Sequence, residues 1–369
     1  MRRLVALDLP GGPGFVDALR RAWDDGDAVL PVDQRLPTSM KAALVARLRA
    51  GRLVDATGAS ALEHGEPVAE GDALVVETSG STGDPKGVVL THAALAASAE
   101  ATSRRLAVTP DDHWLACLPL AHVGGLSVVT RALHTGTRLT VHAGFDPVAV
   151  ETSGATLVSL VATALGRLDA SRFRTIVLGG SRAPDERPPN TVTTYGMTET
   201  GSGVVYDRRP LDGVELRIVD GEVHLRCPML LRCYRDGFDP RLPDGWFATG
   251  DLGEIDHDGL LTVHGRRGDL IITGGENVWP EPVEAVLRTL PGVADAAIVG
   301  HPDPEWGDRV VALIVPTDPQ SLVTLEQVRD HVKSVLPAYC APRTVLFRAV
   351  LPRTALGKLR RADLERGDQ

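Results

Sequence analysis

One stretch decides how this chain is interpreted: Thr78-Ser79-Gly80-Ser81-Thr82-Gly83-Asp84-Pro85-Lys86-Gly87. The apolar runs on either side of it, 73–76 and 88–90, predict two short buried strands. Glycines in the intervening loop let backbone N–H groups face a ligand, hydroxyl groups donate further hydrogen bonds, and the lysine adds a positive charge. The pattern therefore predicts an anion-binding loop, and a polyphosphate is the ligand that it suits best.

Other glycine-rich motifs fit this chain less well. A Walker A loop requires G-x-x-x-x-G-K-[ST] at the start of a helix, whereas Pro85 lies five positions after Gly80 and Gly87 follows Lys86. A plain Ser/Gly hairpin loop would explain a generic run, but the ordered Pro-Lys-Gly ending favours ligand binding. The segment 12–17 imitates a dinucleotide fingerprint and fails at its last position, where an aspartate replaces the small residue.

Composition excludes several classes of protein. The chain has 369 residues, 39 basic and 48 acidic, with a net charge of -9, which does not suggest a nucleic-acid surface. No stretch approaches the roughly 20 apolar residues of a membrane-spanning helix, and the apolar run after Met1-Arg2-Arg3 is too short for a signal peptide. The cysteines show no zinc spacing and are expected to be buried or incidental thiols in a reducing cytoplasm. They are Cys117, Cys227, Cys233 and Cys340.

The order of predicted elements indicates an α/β fold in two domains. Strands and helices alternate up to residue 178, which favours a largely parallel sheet. Short alternating strands from Gly213 to Arg226 predict a small β subdomain. The polar segment Gly265 to Asp269 suits a linker, and the pattern beyond it predicts a compact α+β unit. The predicted division is an N-terminal domain at 1–264, a hinge at 265–268 and a C-terminal domain at 269–369.

The individual elements follow from apolar periodicity. Predicted strands are 4–7, 28–32, 73–76, 88–90, 112–118, 138–141, 174–178, 294–299 and 309–315. Predicted helices are 15–23, 40–48, 93–106, a helix following residues 118–126 and running toward 133, 161–166, 281–290 and 325–335.

Three motifs together resemble one superfamily. With the loop at 78–87, the runs Thr194-Tyr195-Gly196-Met197-Thr198-Glu199-Thr200 and 352–360 resemble the adenylate-forming enzymes, which include acyl- and aryl-CoA ligases, luciferases and peptide-synthetase adenylation domains. The resemblance extends from about residue 74 to the end, with the motifs in the family's order. It implies a large N-terminal domain of parallel and mixed sheets with helices and a small β subdomain, then a small mobile C-terminal domain. Family members carry a longer N-terminal subdomain, so an abridged start is expected.

The resemblance implies a nucleotide site. Tyr195 would stack on adenine, Thr198 would contact the α-phosphate and Glu199 would help to hold Mg²⁺, which prefers carboxylate oxygen beside phosphate. Asp251 would bind the ribose hydroxyls and Arg266 the ribose or phosphate. The implied ATP/AMP-binding residues are Thr78, Ser79, Gly80, Ser81, Thr82, Lys86, Gly179, Gly180, Ser181, Thr194, Tyr195, Gly196, Met197, Asp251 and Arg266. Outside this context, each of these runs would be a polar strand end or a solvated loop.

The catalytic residues implied are Thr198, Glu199 and Lys358. Attack of a carboxylate on the α-phosphate builds negative charge, which a positioned ammonium stabilises as it forms. Lys358, in Gly357-Lys358, holds the position of the family's catalytic lysine, although a lysine near a basic tail is usually only solvated. Gly274, Gly275 and Glu276 resemble the loop that lines the approach of CoA. Gly268 occupies the hinge position where many relatives carry Asp, Lys or Ser.

The acid-binding residues implied are His122, Ser127 and Arg131, in a segment most similar to the 2-succinylbenzoate–CoA ligases of menaquinone biosynthesis. Ser127 and Arg131 are four residues apart and share one face of an apolar helix. A buried arginine needs an anionic partner. Arg131 is therefore expected either to bind a second substrate carboxylate or to form an internal salt bridge, unless it reaches the surface.

The expected activity is an acid–CoA ligase that works through an acyl-adenylate. ATP and a small aromatic acid give acyl-adenylate and pyrophosphate, and CoA then displaces AMP, with Mg²⁺ as cofactor. Benzoate-type or fatty-acid-type ligases and stand-alone adenylation enzymes are the rivals among enzymes, although no carrier domain follows Lys358. A silent nucleotide sensor is the non-enzymatic rival. The sequence leaves a homodimer open.

Overall fold

The computed structural model describes residues 2–78, 86–180, 183–184, 186–353 and 359–364. Six of the predicted site residues therefore lie outside the described residues. They are Ser79, Gly80, Ser81, Thr82, Ser181 and Lys358.

The first part of the chain forms a seven-stranded sheet with two helices. Its elements are β1 (Leu4–Asp8), α1 (Pro13–Asp24), β2 (Ala28–Pro31), α2 (Thr38–Arg47), β3 (Arg52–Asp55), β4 (Gly58–Ala61), β5 (Asp72–Thr78) and β6 (Lys86–Thr91). The strand order is β16-β6-β5-β2-β1-β3-β4, in which β16 (Cys233–Tyr234) is added from later in the chain. The apolar runs around the glycine-rich loop form the antiparallel pair β5 and β6, as their sequence predicts.

The second part forms another seven-stranded sheet. Its elements are α3 (His92–Arg105), β7 (His113–Ala116), α4 (Val123–Thr135), β8 (Arg138–Val141), α5 (Pro147–Glu151), β9 (Leu157–Leu160), α6 (Ala162–Leu165), β10 (Thr175–Leu178), β11 (Thr191–Gly196), β12 (Gly203–Tyr206) and β13 (Arg209–Pro210). The order is β13-β12-β11-β10-β9-β7-β8, parallel from β8 to β11 and antiparallel from β11 to β13. Helices α3 and α4 pack along each other, α3 also on β6 and α4 on β7.

A third, four-stranded sheet follows, in the order β14-β15-β17-β18. Its strands are β14 (Glu215–Val219), β15 (Glu222–Arg226), β17 (Phe247–Ile255) and β18 (Leu261–Arg266). Gly265 and Arg266, the first two residues of the predicted linker, end β18. Residues Arg267–Asp269 then form a single 3₁₀ turn. A side chain at position 265 would lie 3.0 Å from the ring of Trp279, so packing favours glycine there.

The C-terminal part is an α+β unit around a five-stranded sheet. Its elements are β19 (Ile271–Thr273), β20 (Glu276–Val278), α7 (Pro280–Leu287), β21 (Val293–Asp303), β22 (Gly307–Pro316), α8 (Leu325–Lys333), β23 (Thr344–Phe347) and α9 (Arg361–Leu364). Helices α7 and α8 contact each other, and α7 packs on β21. Val283, Leu287 and Val328 belong to the apolar core under these helices.

The chain divides into two compact units. One comprises residues 1–217, 224–248 and 255–261; the other comprises residues 218–223, 249–254 and 262–369. The predicted α/β class with a small α+β C-terminal part is confirmed, while the boundary at 265–268 stays a prediction. None of the helices in the described ranges has the length and apolar character needed to cross a bilayer.

The four cysteines are free thiols, and three of them are buried. Burial raises the pKa of Cys117 to about 12 and that of Cys227 to about 11. Thiols with such pKa values are poor nucleophiles and metal ligands at neutral pH. This agrees with the expectation of inert thiols.

Candidate functional site

The polar motifs collect at the carboxyl ends of the adjacent parallel strands β10 and β11. Leu178 pairs with Thr193 in this register, so Gly179 and Gly180 follow β10 beside the end of β11. The hydroxyl of Thr194 donates to the carbonyl of Leu178 at 3.2 Å. Ligands of open α/β sheets bind at this edge, outside the carboxyl ends of the strands. The structure therefore brings the predicted adenine-side glycines and the start of the adenylate motif together.

A close backbone contact shapes the end of the adenylate motif. A Cβ at Gly196 would lie 2.3 Å from the carbonyl oxygen of Ser202, so only glycine allows β11 and β12 to pair here. The next residues form a 3₁₀ turn, Thr198–Thr200. The buried hydroxyl of Thr200 donates to the carbonyls of Met197 and Ser202 at 2.9 and 2.7 Å. These contacts fix the turn that presents Thr198 and Glu199.

Lys86 and Glu199 meet at a residue that sequence analysis missed, Tyr234. The hydroxyl of Tyr234 donates to Oε1 of Glu199 at 3.0 Å. The Nζ of Lys86 lies 4.7 Å from the centroid of the Tyr234 ring. Lys86 itself pairs with Thr78 at the base of the anion-loop hairpin. The described end of the predicted phosphate loop and the predicted Mg²⁺ ligand are therefore neighbours.

The donor set suits Mg²⁺ bound together with a polyphosphate. Glu199 offers a hard carboxylate oxygen, and one of its oxygens has a phenol donor. Across the described ranges no group of three His, Cys, Asp or Glu side chains could hold a metal ion without help. Mg²⁺ commonly binds through one or two carboxylates, substrate phosphates and water. The residues present fit that pattern.

The predicted acid-binding residues lie on or next to α4. His122 is the residue before the first turn of that helix. Its Nε2 lies 3.5 Å from Oδ2 of Asp33, which follows β2 and was also missed by sequence analysis. Burial alone would raise the pKa of Asp33, but contact with His122 and hydrogen bonds from Arg35 hold the pKa well below the usual range of an aspartate.

Arg131 is buried, with 2% of its surface exposed. It donates to the hydroxyl of Ser202 at 3.1 Å and stacks over the ring of Trp114 at 4.7 Å. Its Nε and Nη1 atoms have no hydrogen-bond partner among the described residues. Burial lowers the pKa of its guanidinium. Arg131 is therefore not a surface arginine. It also forms no internal salt bridge with a carboxylate of the described residues. Ser127, one turn earlier, is also buried.

Asp251 and Arg266, the residues predicted to contact ribose and phosphate, form an ion pair. Nε of Arg266 lies 2.9 Å from Oδ1 of Asp251, whose side chain is 9% exposed. The same guanidinium donates to the carbonyl of Thr249 at 2.7 Å. The structure therefore brings these two predicted residues into direct contact.

The predicted CoA loop is the hairpin turn between β19 and β20. Thr273 pairs with Glu276, so Gly274 and Gly275 form the turn itself. The backbone N–H of Gly274 donates to the carbonyl of Trp306 at 2.8 Å, and the turn packs against that indole.

The chain is paired on both sides of residues 354–358. Arg353 pairs with Leu359 in an antiparallel bridge. Beyond it, Arg361 lies 2.9 Å from Oε1 of Glu284 and 3.1 Å from Asp269. The described residues that flank the predicted catalytic lysine are therefore anchored to the C-terminal unit.

The two missed residues gave different signals. Asp33 directly follows a buried parallel strand, which is a position that often faces a ligand. Tyr234 lies in no motif, and its partners are 148 and 35 residues away in sequence (234 − 86 and 234 − 199), so no local pattern identifies it.

An α/β fold that brings Lys86, the described end of the predicted anion loop, close to Glu199 of the adenylate motif fits the class of adenylate-forming enzymes. The chain belongs to the family of AMP-binding enzymes, whose model matches residues 23–234, and the model of the AMP-binding enzyme C-terminal domain matches residues 282–358. The first match lies largely in the first compact unit, and the second lies within the second unit.

Several relatives are 2-succinylbenzoate–CoA ligases. One from Mycobacterium tuberculosis, named as probable, is 42% identical over 342 residues, which cover 83% of this chain and 87% of that protein. One from Bacillus cytotoxicus is 36% identical over 334 residues, which cover 79% of this chain and 69% of that protein. Among solved structures, o-succinylbenzoate CoA synthetase (MenE) from Bacillus subtilis, in complex with the acyl-adenylate intermediate OSB-AMP, superposes with a TM-score of 0.88. It is 29% identical and the match covers 99% of this chain and 89% of that chain.

Proposed function

We propose that this protein is an AMP-forming acid–CoA ligase that converts 2-succinylbenzoate, ATP and CoA into 2-succinylbenzoyl-CoA, AMP and pyrophosphate. The observation that carries the proposal is the meeting of Lys86 and Glu199 at Tyr234, beside the turn that follows β11. The relatives named as 2-succinylbenzoate–CoA ligases support the choice of acid.

The nucleotide binds across the ends of β10 and β11 in this proposal. Gly179, Gly180 and Tyr195 border the adenine, and Lys86 interacts with the phosphates. A structure of the Bacillus subtilis enzyme holds ATP and a magnesium ion. Glu199 would hold Mg²⁺ here, and the bound ion would neutralise charge on the phosphates. Asp251 binds the ribose after releasing Arg266.

The acid binds along α4 with its reacting carboxylate toward the α-phosphate. Arg131 supplies the positive charge for the second carboxylate of the diacid through its Nε and Nη1 atoms, which have no partner among the described residues. His122 borders the reacting end of the acid. A charge-assisted contact of this kind is stronger than a neutral hydrogen bond and selects a diacid over a monoacid.

The thiol step uses the C-terminal unit. Lys358, outside the described residues, stabilises the charge that forms during adenylation. The unit then turns about the segment 265–268, and the turn at Gly274 and Gly275 lines the approach of CoA. Because the residues on both sides of 354–358 are anchored to the same unit, Lys358 would move with it.

A panel of acids tests the proposal. The protein is incubated with ATP, Mg²⁺, CoA and one acid at a time, and CoA thioesters are identified by mass spectrometry. We expect 2-succinylbenzoyl-CoA as the preferred product, with pyrophosphate release that depends on the acid. Preference for benzoate or a fatty acid would show that 2-succinylbenzoate is not the substrate, and the protein would still be an acid–CoA ligase. Nucleotide binding without any pyrophosphate release would indicate a sensor.

The proposal includes a cytoplasmic homodimer. Light scattering coupled to size-exclusion chromatography measures the mass in solution, and a mass near that of one chain would contradict the dimer.

A further inference from the structure

Lys86 and Glu199 carry opposite charges at neighbouring positions, yet they do not pair. Among the described residues, neither side chain has an ion-pair partner within 4.0 Å. Tyr234 contacts both of them, the ammonium through the face of its ring and the carboxylate through its hydroxyl. One aromatic side chain therefore stands between the two charges.

The backbone fixes the position of that ring. Tyr234 pairs with Val88 in β6, the strand that begins at Lys86. Three residues earlier, the N–H of Leu231 donates to the carbonyl of Glu199 at 2.7 Å. Tyr234 is 8% exposed and its ring stacks on Phe238 with 6.3 Å between centroids. The segment 231–234 is thus bonded to both elements whose side chains it separates.

Separation matters for the proposed chemistry, because a direct Lys–Glu pair would occupy both groups. A carboxylate paired with an ammonium is a poorer Mg²⁺ ligand, and a paired ammonium must break that contact before it binds phosphate. A ring face attracts a cation more weakly than a carboxylate does, so it can hold the lysine and still release it. A phenol donor occupies one lone pair of the carboxylate and leaves the second oxygen for the metal.

We infer that Tyr234 is a positioning residue that keeps Lys86 and Glu199 apart, so that Lys86 remains available to phosphate and Glu199 to Mg²⁺. The inference rests on the proposed function for the ATP site. Tyr234 touches neither reacting atom in this role and acts through its two neighbours.

Two substitutions separate the two contacts. Tyr234→Phe keeps the ring beside Lys86 and removes the hydrogen bond to Glu199. Tyr234→Leu removes both. Tyr206→Phe is the control, because Tyr206 is fully buried and its hydroxyl lies 3.3 Å from that of Thr102, away from Lys86 and Glu199 in every contact described.

Binding of ATP is titrated by calorimetry at several Mg²⁺ concentrations, and acid-dependent pyrophosphate release gives the KM for ATP. For Tyr234→Phe we expect the half-saturating Mg²⁺ concentration to rise about three- to tenfold, the value of a typical hydrogen bond, with the KM for ATP within about twofold. Tyr234→Leu should also raise the KM for ATP about tenfold, as Lys86 pairs with Glu199. Tyr206→Phe should change neither quantity.

The melting temperature of each variant is measured alongside. If both Tyr234 variants lower the melting temperature and leave Mg²⁺ and ATP binding unchanged, Tyr234 is only structural and the inference is wrong. If Tyr234→Phe and Tyr234→Leu change the Mg²⁺ dependence and the KM for ATP equally, the ring of Tyr234 does not position Lys86 and that part of the inference is wrong. If the unmodified protein binds Mg²⁺ and ATP but releases no pyrophosphate with any acid, the proposed function fails, while the calorimetric comparison still decides the role of Tyr234.

Discussion

Arg131 is the side chain whose surroundings bear most directly on the choice of acid. It is buried without a carboxylate partner among the described residues, and its guanidinium donates a hydrogen bond to the hydroxyl of Ser202. Arginine stays charged even when buried, so a site that holds it without an internal anion favours an anionic ligand. The helix α4 therefore supplies the diacid selectivity in the proposed function.

Arg131→Leu should raise the KM for 2-succinylbenzoate about ten- to a hundredfold and leave the KM for ATP nearly unchanged, since one charge-assisted contact is lost. Steady-state kinetics with each substrate varied in turn measures both constants. For Arg131→Lys, which keeps the charge and loses the planar fork, the KM for 2-succinylbenzoate should lie between those of the unmodified protein and of Arg131→Leu. Arg131→Leu should also reduce the preference for the diacid over monoacids. A variant that weakens both kinds of acid alike, or that mainly loses stability, would make Arg131 structural.

Lys358→Ala should reduce adenylation about a hundred- to a thousandfold, because one ionic contact to the developing charge is lost. Conversion of supplied acyl-adenylate and CoA into thioester should change little, because the charge serves only the first step. The two half-reactions are measured separately, by pyrophosphate release and by thioester formation. Equal losses in both would remove Lys358 from the adenylation step.

Asp33 makes the stability of the fold depend on pH in a predictable direction. Its folded pKa lies below its unfolded value, so the ionised carboxylate stabilises the fold above the unfolded pKa of about 4, and this stabilisation is lost as the pH falls toward the folded pKa. Asp33→Asn should lower the free energy of unfolding by about 1–2 kcal/mol at neutral pH, and the difference should shrink below about pH 4. Urea unfolding at neutral pH and below about pH 4 measures the difference in free energy of unfolding between the unmodified protein and Asp33→Asn. Asp17→Asn, at an exposed aspartate, is the control. If the difference for Asp33→Asn does not vary with pH, the charge of Asp33 does not contribute to stability.

At the scale of elements, one buried carboxylate holds the C-terminal unit together. Glu284 on α7 is 2% exposed and accepts from the N–H of Ile298 in β21 at 3.0 Å. Arg361 of α9 lies 2.9 Å from the same oxygen, and Arg288 lies 3.5 Å from the other. Three elements therefore depend on a single side chain.

Glu284→Gln should lower the free energy of unfolding by about 2–3 kcal/mol, because a buried charge-assisted contact is lost and Arg361 is left with Asp269 as its anion. The amide keeps an acceptor for Ile298, so the loss reports the charge and not the backbone contact. Denaturant unfolding followed by tryptophan fluorescence gives the value. Glu305→Gln, at an exposed position, should be neutral. Equal stabilities of the two variants would show that the pair contributes nothing.

The same scale shows what sequence can and cannot predict. The strands beside the predicted anion loop were predictable because apolar runs next to glycine and proline leave few alternatives. The predicted ligand residues of β10 and β11 stand at the ends of those strands. Tyr234, which joins β16 to the turn after β11, was not, because its contacts depend on which strand adds to the edge of the first sheet. The close approach of the Trp279 ring to Gly265 was equally unpredictable, because the two residues are distant enough in sequence that no local pattern joins them.

At the scale of the whole molecule, the two-step reaction requires a hinge, and Gly268 is the proposed position. A Cβ at Gly268 would meet nothing within 4 Å, so substitution there is not limited by packing. Gly268→Pro fixes φ and should leave adenylate formation intact while thioester formation falls steeply. Gly268→Ala is the matched control and should support both half-reactions. Normal thioester turnover by the proline variant would place the hinge elsewhere.

Under the proposed function, the ion pair between Asp251 and Arg266 places a guanidinium in competition with the ribose hydroxyls for one carboxylate. A guanidinium displaced by the ribose would also lose its carbonyl partner at Thr249. The affinity for nucleotide would then reflect the difference between two contacts with the same carboxylate, and a ligand without ribose hydroxyls would make no such exchange at Asp251.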